Sequence, residues 1–237
     1  ICASPNDFGY LGERPTHPVL LDWLATELVN KKWSLKAMHK AIMLSQAYQM
    51  SSRGQAEGLA KDPGNEWFWR FNMRRLTAEE LRDALLAVTG RLNRKMGGPS
   101  IFIKLPAEVL ATSSTKGGKW GNSPEEEQTR RSVYIKVKRS LVPPVLQNFD
   151  FADTDAACPV RFRSILPGQA LAMMNSAFTN EEAVNFAKRL RTEAPDDPRR
   201  QIGLAIELAL ARSATARELD YGMEFIEVMM REHKLSP

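Results

Sequence analysis

The sequence predicts a mainly α-helical fold, an irregular multi-helix bundle with long loops and at most one small two-stranded β element. Three observations carry that expectation. Side chains that cap helix starts recur directly ahead of apolar residues spaced three to four positions apart. Only one segment reads as a strand, with apolar and polar residues alternating at a period of two. Glycine, proline and acidic residues gather in two long irregular stretches, 97–121 and 142–166.

Taken in chain order, Thr16-His17-Pro18 opens a helix carrying Leu20, Leu21, Leu24 and Leu28, and Ser34 opens a second with Leu35, Met38 and Ile42. The clearest start is Leu76-Thr77-Ala78-Glu79-Glu80-Leu81. There Thr77 can accept from the Glu80 amide while Glu80 reaches back, a capping box flanked by Leu76 and Leu81 as a hydrophobic staple. Leu81, Leu85, Val88 and Leu92 follow on one face, and Gly97-Gly98-Pro99 closes the region. Ser123-Pro124-Glu125-Glu126 places proline at a first helical position. Thr179-Asn180-Glu181-Glu182 precedes Ala183, Phe186, Ala187 and Leu190, and Thr215-Ala216-Arg217-Glu218 precedes Leu219, Met223, Ile226 and Met230. Between Pro198 and Arg212 the apolar residues Leu204, Ile206, Leu208 and Leu210 alternate as in a strand. Length, the alanines and Asp197 as a cap ahead of Pro198 favour a buried helix.

The strand-like segment sets Val133, Ile135 and Val137 against Tyr134, Lys136 and Lys138, with Ile101-Phe102-Ile103 as its best partner. A helix through 130–138 is the competing reading.

At 237 residues, 43% hydrophobic and 26% charged, the chain can bury a sizeable core as one helical domain over 1–237. A sub-division into helical halves 1–95 and 122–237, joined by the Gly/Pro-rich loop 96–121, is the alternative organisation. Ile1 stands where a start would have Met, with no basic-then-apolar leader behind it, so the expectation is a piece of a longer protein. No membrane span is expected, because the most apolar stretch, Pro18 to Val29, is broken by Asp22 and Glu27. The net charge of +5 is spread over many charged residues, which describes a solvated surface better than a nucleic-acid footprint. The two cysteines, Cys2 and Cys158, are too few for a disulfide scaffold or a four-cysteine zinc site; one bridge or two buried thiols both remain open.

The three histidines, His17, His39 and His233, do not pair at metal-ligand spacing, and no haem-attachment, metalloprotease, nucleophile-elbow or Walker pattern occurs. No catalytic residue and no metal site is assigned on these grounds. Binding candidates come from three places. Trp120 lies beside glycines that make a core position hard to build, whereas Trp67 and Trp69 read as core residues. Arg130, Tyr134, Lys136 and Lys138 would share one face of the strand, a basic surface suited to a polysaccharide or a small anion. Asp150, Asp153 and Asp155 stand near Arg161 and Arg163. They read as loop-pinning ion pairs before they read as a calcium site, since the EF-hand order is missing.

A resemblance rests on an ordered set of short motifs covering nearly the whole chain. These are Pro5-Asn6-Asp7-Phe8-Gly9, Gly12-Glu13-Arg14-Pro15-Thr16-His17-Pro18, Leu20-Leu21-Asp22-Trp23-Leu24-Ala25, Arg74-Arg75-Leu76-Thr77-Ala78-Glu79 and Arg82-Asp83. Later come Arg130-Arg131-Ser132-Val133-Tyr134, Phe149-Asp150, Cys158, Arg163, Pro167-Gly168-Gln169-Ala170-Leu171 and Met174-Asn175. In these the chain resembles the Planctomycete secreted domain one family, a domain of unknown function. Gly168 stands where the family usually has Leu, and the acidic loop differs from the family's Phe-Asp-Ala-Pro-Asp run. The resemblance implies the C-terminal part of a larger exported protein, periplasmic or cell-surface, with a companion domain and a cytochrome-c-like module in the same protein. Haem would belong to that separate module, with no cofactor in this domain. The role expected is a non-catalytic helical interaction module. Glycan or anion binding is one alternative, and a composite enzyme site formed with the companion domain is another.

Overall fold

The computed structural model describes residues 1–111, 120–139, 141–158 and 160–234. Much of the Gly/Pro-rich stretch 97–121, residues 112–119, lies outside the described residues. The chain forms two compact units, Ile1–Arg75 with Ala156–Phe162, and Leu76–Asp155 with Arg163–Pro237. The loop 96–121 falls within the second unit.

The first unit carries α1 (Pro18–Asn30), α2 (Leu35–Met43), α3 (Gln46–Gln49) and α4 (Ala56–Lys61). Pro18 occupies the first turn of α1, where its missing N–H costs nothing. The Ser34 hydroxyl caps α2 by accepting from the Ala37 amide at 3.3 Å, as its position in the sequence predicts.

The second unit carries α5 (Ala78–Val88), α6 (Ala107–Ala111), α7 (Glu125–Gln128), a 3-10 turn (Ser132–Tyr134), α8 (Pro144–Gln147), α9 (Pro167–Asn175), α10 (Ala177–Glu193), α11 (Pro198–Leu210) and α12 (Ala216–Glu232). The mainly α expectation holds, with no sheet among the described residues. Both reciprocal hydrogen bonds of the Thr77–Glu80 box form, at 3.3 and 2.8 Å, and the Thr215–Glu218 box forms likewise. Asp197 caps α11 through the Arg200 amide at 2.9 Å, so the alternating leucines lie on a helix.

Several boundaries differ from the expectation. α5 stops at Val88, well before Gly97-Gly98-Pro99, because Gly90 takes φ +78°. The Gly90 amide then bonds Ala87 O at 3.1 Å and the Arg91 amide bonds Leu86 O at 2.8 Å, a Schellman ending that satisfies two orphan carbonyls. Leu92 continues the apolar spacing but lies beyond the helix. α10 starts earlier than Thr179, since Ser176 accepts the Thr179 amide at 3.1 Å and serves as the cap. Pro124 sits just outside α7, while the Ser123 hydroxyl accepts from the Phe102 amide at 2.9 Å instead of capping the helix.

The strand pair shrinks to a single parallel bridge, Ile101 with Ile135, made by Ile101 N to Tyr134 O and Lys136 N to Ile101 O, both 2.8 Å. The predicted partner is correct; the extent is not. Residues 132–134 coil into a 3-10 turn, which rotates Val133 out to solvent and brings Tyr134 against the core. Ile101, Ile103 and Leu105 do alternate inward in an extended segment and pack with Ala78, Ile135, Leu146 and Phe149 as the core of the unit. Burying each such aliphatic side chain contributes about 1.5–3 kcal/mol.

Candidate functional site

In the second unit the short motifs of the sequence meet as one polar framework. Arg82, on the inner face of α5, is buried. Its Nη1 donates to Arg130 O at 3.0 Å and Ser132 Oγ at 3.2 Å, and its Nη2 donates to Gln128 O at 2.5 Å. Asp83, the next residue, accepts both the Ser132 amide and the Ser132 hydroxyl at 2.7 Å. Burial lowers the Arg82 pKa to about 10, against the opposing pull of Asp83 and Glu182. The neighbours thus keep a buried guanidinium charged at neutral pH.

Arg130 is fully enclosed. Its Nη1 donates to Glu127 Oε2 at 3.2 Å and Pro99 O at 3.4 Å, while Nη2 donates to Lys95 O at 3.3 Å and to Gly97 O. Tyr134 stacks on the guanidinium with its ring centre 3.9 Å from Cζ, and the Tyr134 hydroxyl accepts the Gly97 amide at 2.8 Å. Gly97 and Gly98, both at positive φ, let the backbone wrap the cation. Glu127 is held below the usual carboxylate pKa range, chiefly by the Lys95 ammonium 2.5 Å away and further by Arg130.

The four residues expected on one basic face therefore separate. Arg130 is interior and Tyr134 covers it, whereas Lys136 is exposed and Lys138 half-buried. The 3-10 turn breaks the two-residue period on which a shared face depends. Lys138 lies near Trp120, with its ammonium 5.9 Å from the ring centre. Trp120 itself packs beside the core, its indole N–H donating to Ile103 O at 2.7 Å and its ring meeting Phe102 edge-on at 5.4 Å. Gly121 makes that packing possible. A Cβ there would come within 2.7 Å of Phe102 Cδ2.

Asp150, at φ +58°, accepts the Ser164 amide at 2.7 Å, and the Ser164 hydroxyl lies 2.9 Å from both of its carboxylate oxygens. Gln169 Nε2 donates to the Ser164 hydroxyl at 3.1 Å, so Asp150 and Gln169 share one tie. Asp155 pairs with Arg139 at 2.8 Å. Arg163 is exposed, and Arg161, half-buried, belongs to the first unit. Cys2 and Cys158 are free thiols. Among the described residues no group of three or more His, Cys, Asp or Glu side chains could hold a metal ion.

Glu182, read in the sequence only as part of a helix start, is buried where α10 packs on α5. It accepts the Thr89 hydroxyl and Arg91 Nη1, each at 2.7 Å. The signal was weak: Glu182 falls between Phe178 and Phe186 at helical spacing, where a carboxylate needs partners, and Thr89 and Arg91 supply them.

The first unit holds a cavity of about 540 Å³ at the start of α1, walled by His17, Pro18, Val19, Leu20, Trp23 and Trp67. The His17 ring stacks on Phe68 at 4.9 Å, meets Trp67 edge-on at 5.3 Å and bonds the Thr16 hydroxyl through Nδ1 at 2.9 Å. A tight loop aims these aromatics. Asp62 accepts the Glu66 and Trp67 amides at 3.0 and 2.9 Å, and buried Asn65 bonds Arg70 O at 2.7 Å. Trp69 turns inward, donating its indole N–H to Asp62 O at 2.8 Å, while Trp67 turns outward and is 69% exposed. The expectation of a core Trp67 fails because Phe68, at φ +54°, breaks the alternation between its neighbours.

No curated protein and no solved structure matches the chain. One family model matches residues 1–226: the chain belongs to PSD1, a family of proteins of unknown function (DUF1553).

Proposed function

We propose that the chain is a non-catalytic helical interaction module, working beside a companion domain and a cytochrome-c-like module of one exported protein. The observation that supports this reading is the aromatic cavity of the first unit. Trp23 and Trp67 stand 50% and 69% exposed at its rim, large apolar surfaces of the kind that bury well against a partner. The motif residues of the second unit serve a different end. Arg82, Asp83, Arg130 and Ser132 use most of their polar groups on one another and on backbone carbonyls, which makes them a scaffold. Hydrogen exchange, compared between this chain and the full-length protein, tests the reading. Amides around Thr16–Leu24 and Gly64–Arg70 are expected to slow in the full-length protein, and the paired change Trp23→Ala, Trp67→Ala is expected to abolish that slowing. Identical exchange in both forms rejects the idea.

Binding of a saccharide or small anion is the second reading, supported by the Lys138 ammonium beside Trp120 with exposed Lys136 two residues away. Calorimetry against sulfated and neutral saccharides is expected to give heat that Lys136→Ala reduces about fivefold in affinity, the loss of one exposed charge contact. Heat unchanged by that substitution removes this version.

A further inference from the structure

Helix α12 carries two apolar stripes on opposite faces. Leu219, Met223, Ile226 and Met230 are half-buried on the side of α11, where Gly222 lies so close to Ile202 that a Cβ would come within 2.8 Å of its Cγ2. Tyr221, Phe225 and Val228 recur at i, i+4 and i+7 on the other side and are 54%, 64% and 38% exposed. An outer helix needs one apolar stripe to join its bundle. Among the described residues the second stripe stays exposed, with α12 standing at the end of the packed row α9, α10, α11, α12.

The charges at the two ends of the outer stripe are the informative feature. Arg217, one turn ahead of Tyr221, lies in the first turn of α12, and Glu232 is its last residue. Both occupy the end of the helix dipole that disfavours their sign. Arg217 is also laid along the stripe, with Nε and Nη2 bonded to Tyr221 Oη at 2.8 and 2.6 Å.

We infer that this face pairs, antiparallel, with the same face of a second copy of the chain. A twofold axis passing between Glu224 and Phe225 sets Tyr221 against the partner's Val228 and brings the two Phe225 rings side by side. It also sets Arg217 against the partner's Glu232 at both ends, as an isologous contact requires. Each misplaced charge then faces an opposite charge and the favourable end of a neighbouring dipole. Parallel pairing would instead oppose arginine to arginine and glutamate to glutamate. The contact is small, so association in the micromolar range is expected, on the order of 10 µM. This inference rests on α12 alone and stands apart from the cavity of the first unit.

Sedimentation equilibrium on the purified chain tests it, with circular dichroism confirming that each variant stays helical. The chain is expected to dimerise reversibly, and Phe225→Glu to weaken dimerisation at least tenfold, or about 1.4 kcal/mol. R217E and E232R are each expected to weaken self-association about fivefold, since each sets like charges at both ends. An equimolar mixture of the two restores pairing, because every end then joins opposite charges. A chain that stays monomeric to several hundred micromolar overturns the inference. So does a dimer indifferent to Phe225→Glu, or single variants whose mixture fails to recover association.

Discussion

The Arg82 guanidinium donates to the carbonyl oxygen of Arg130 at 3.0 Å, across 48 residues of sequence. That bond joins two motifs, Arg82-Asp83 and Arg130-Arg131-Ser132-Val133-Tyr134, which look unrelated in the sequence. It fixes α5 against the turn that supports the Arg130 guanidinium, and so one arginine holds the backbone that positions the next.

Replacing Arg82 with Met keeps the bulk of the side chain and removes three hydrogen bonds. The Gln128 and Arg130 carbonyls and the Ser132 hydroxyl then lose their donor in a buried place. A loss of about 3 kcal/mol is expected. Urea unfolding followed by circular dichroism measures it, and a shift below about 1 kcal/mol contradicts the role given to this side chain.

Two helix starts were legible because capping is local chemistry: a hydroxyl and a carboxylate three residues apart identify Thr77 and Thr215 without knowledge of the fold, although the same spacing at Thr179 and Glu182 places the start of α10 too late. The end of α5 was harder to see. Leu92 keeps helical spacing with Leu81, Leu85 and Val88, so periodicity runs past the true stop, and only Gly90 marks it. The candidate site was less legible still. Trp120 beside a glycine suggested an exposed ring, yet Gly121 is what lets Phe102 close on it, and no local pattern shows which ring a missing Cβ admits.

Gly90→Ala isolates the backbone cost of that stop. The nearest atom to a new Cβ would be Arg189 Cδ at 3.7 Å, ordinary contact, so the penalty is conformational, from φ +78°. About 1 kcal/mol of stability should be lost, and Gly90→Asn should lose less, because asparagine tolerates the left-handed region. Thermal melts of the two variants decide this; equal melting temperatures would argue against a left-handed stop.

The two tryptophans that flank Phe68 should behave oppositely. Trp69 packs so closely on Gly58 that a Cβ there would approach its ring to 2.7 Å, and its indole bonds Asp62 O. Trp69→Ala is expected to cost about 3 kcal/mol and Trp67→Ala less than about 1. Denaturant midpoints that rank them the other way would reverse the assignment of which ring faces solvent.

Glu218 supplies a pH signature. Hydrogen bonds from Arg212 first, then from the Thr215 amide and hydroxyl, lower its pKa from 4.5 to about 2. A depressed folded-state pKa means the carboxylate's contribution is complete above pH 4.5 and is lost as pH falls towards 2. The carboxyl carbon of Glu218, followed by nuclear magnetic resonance, should therefore titrate with a midpoint well below 4. Arg212→Gln should move that midpoint upward, and a midpoint near 4.5 in the unaltered chain would show that the box is open in solution.

The segment around Lys95, Gly97 and Pro99 turns its carbonyls on a positive centre, much as loops elsewhere close around a dissolved potassium or calcium ion. Here the ion is tethered, since it is the head of Arg130. Chelators and changes of salt cannot remove it, so this corner keeps its shape whatever the ionic content of its surroundings.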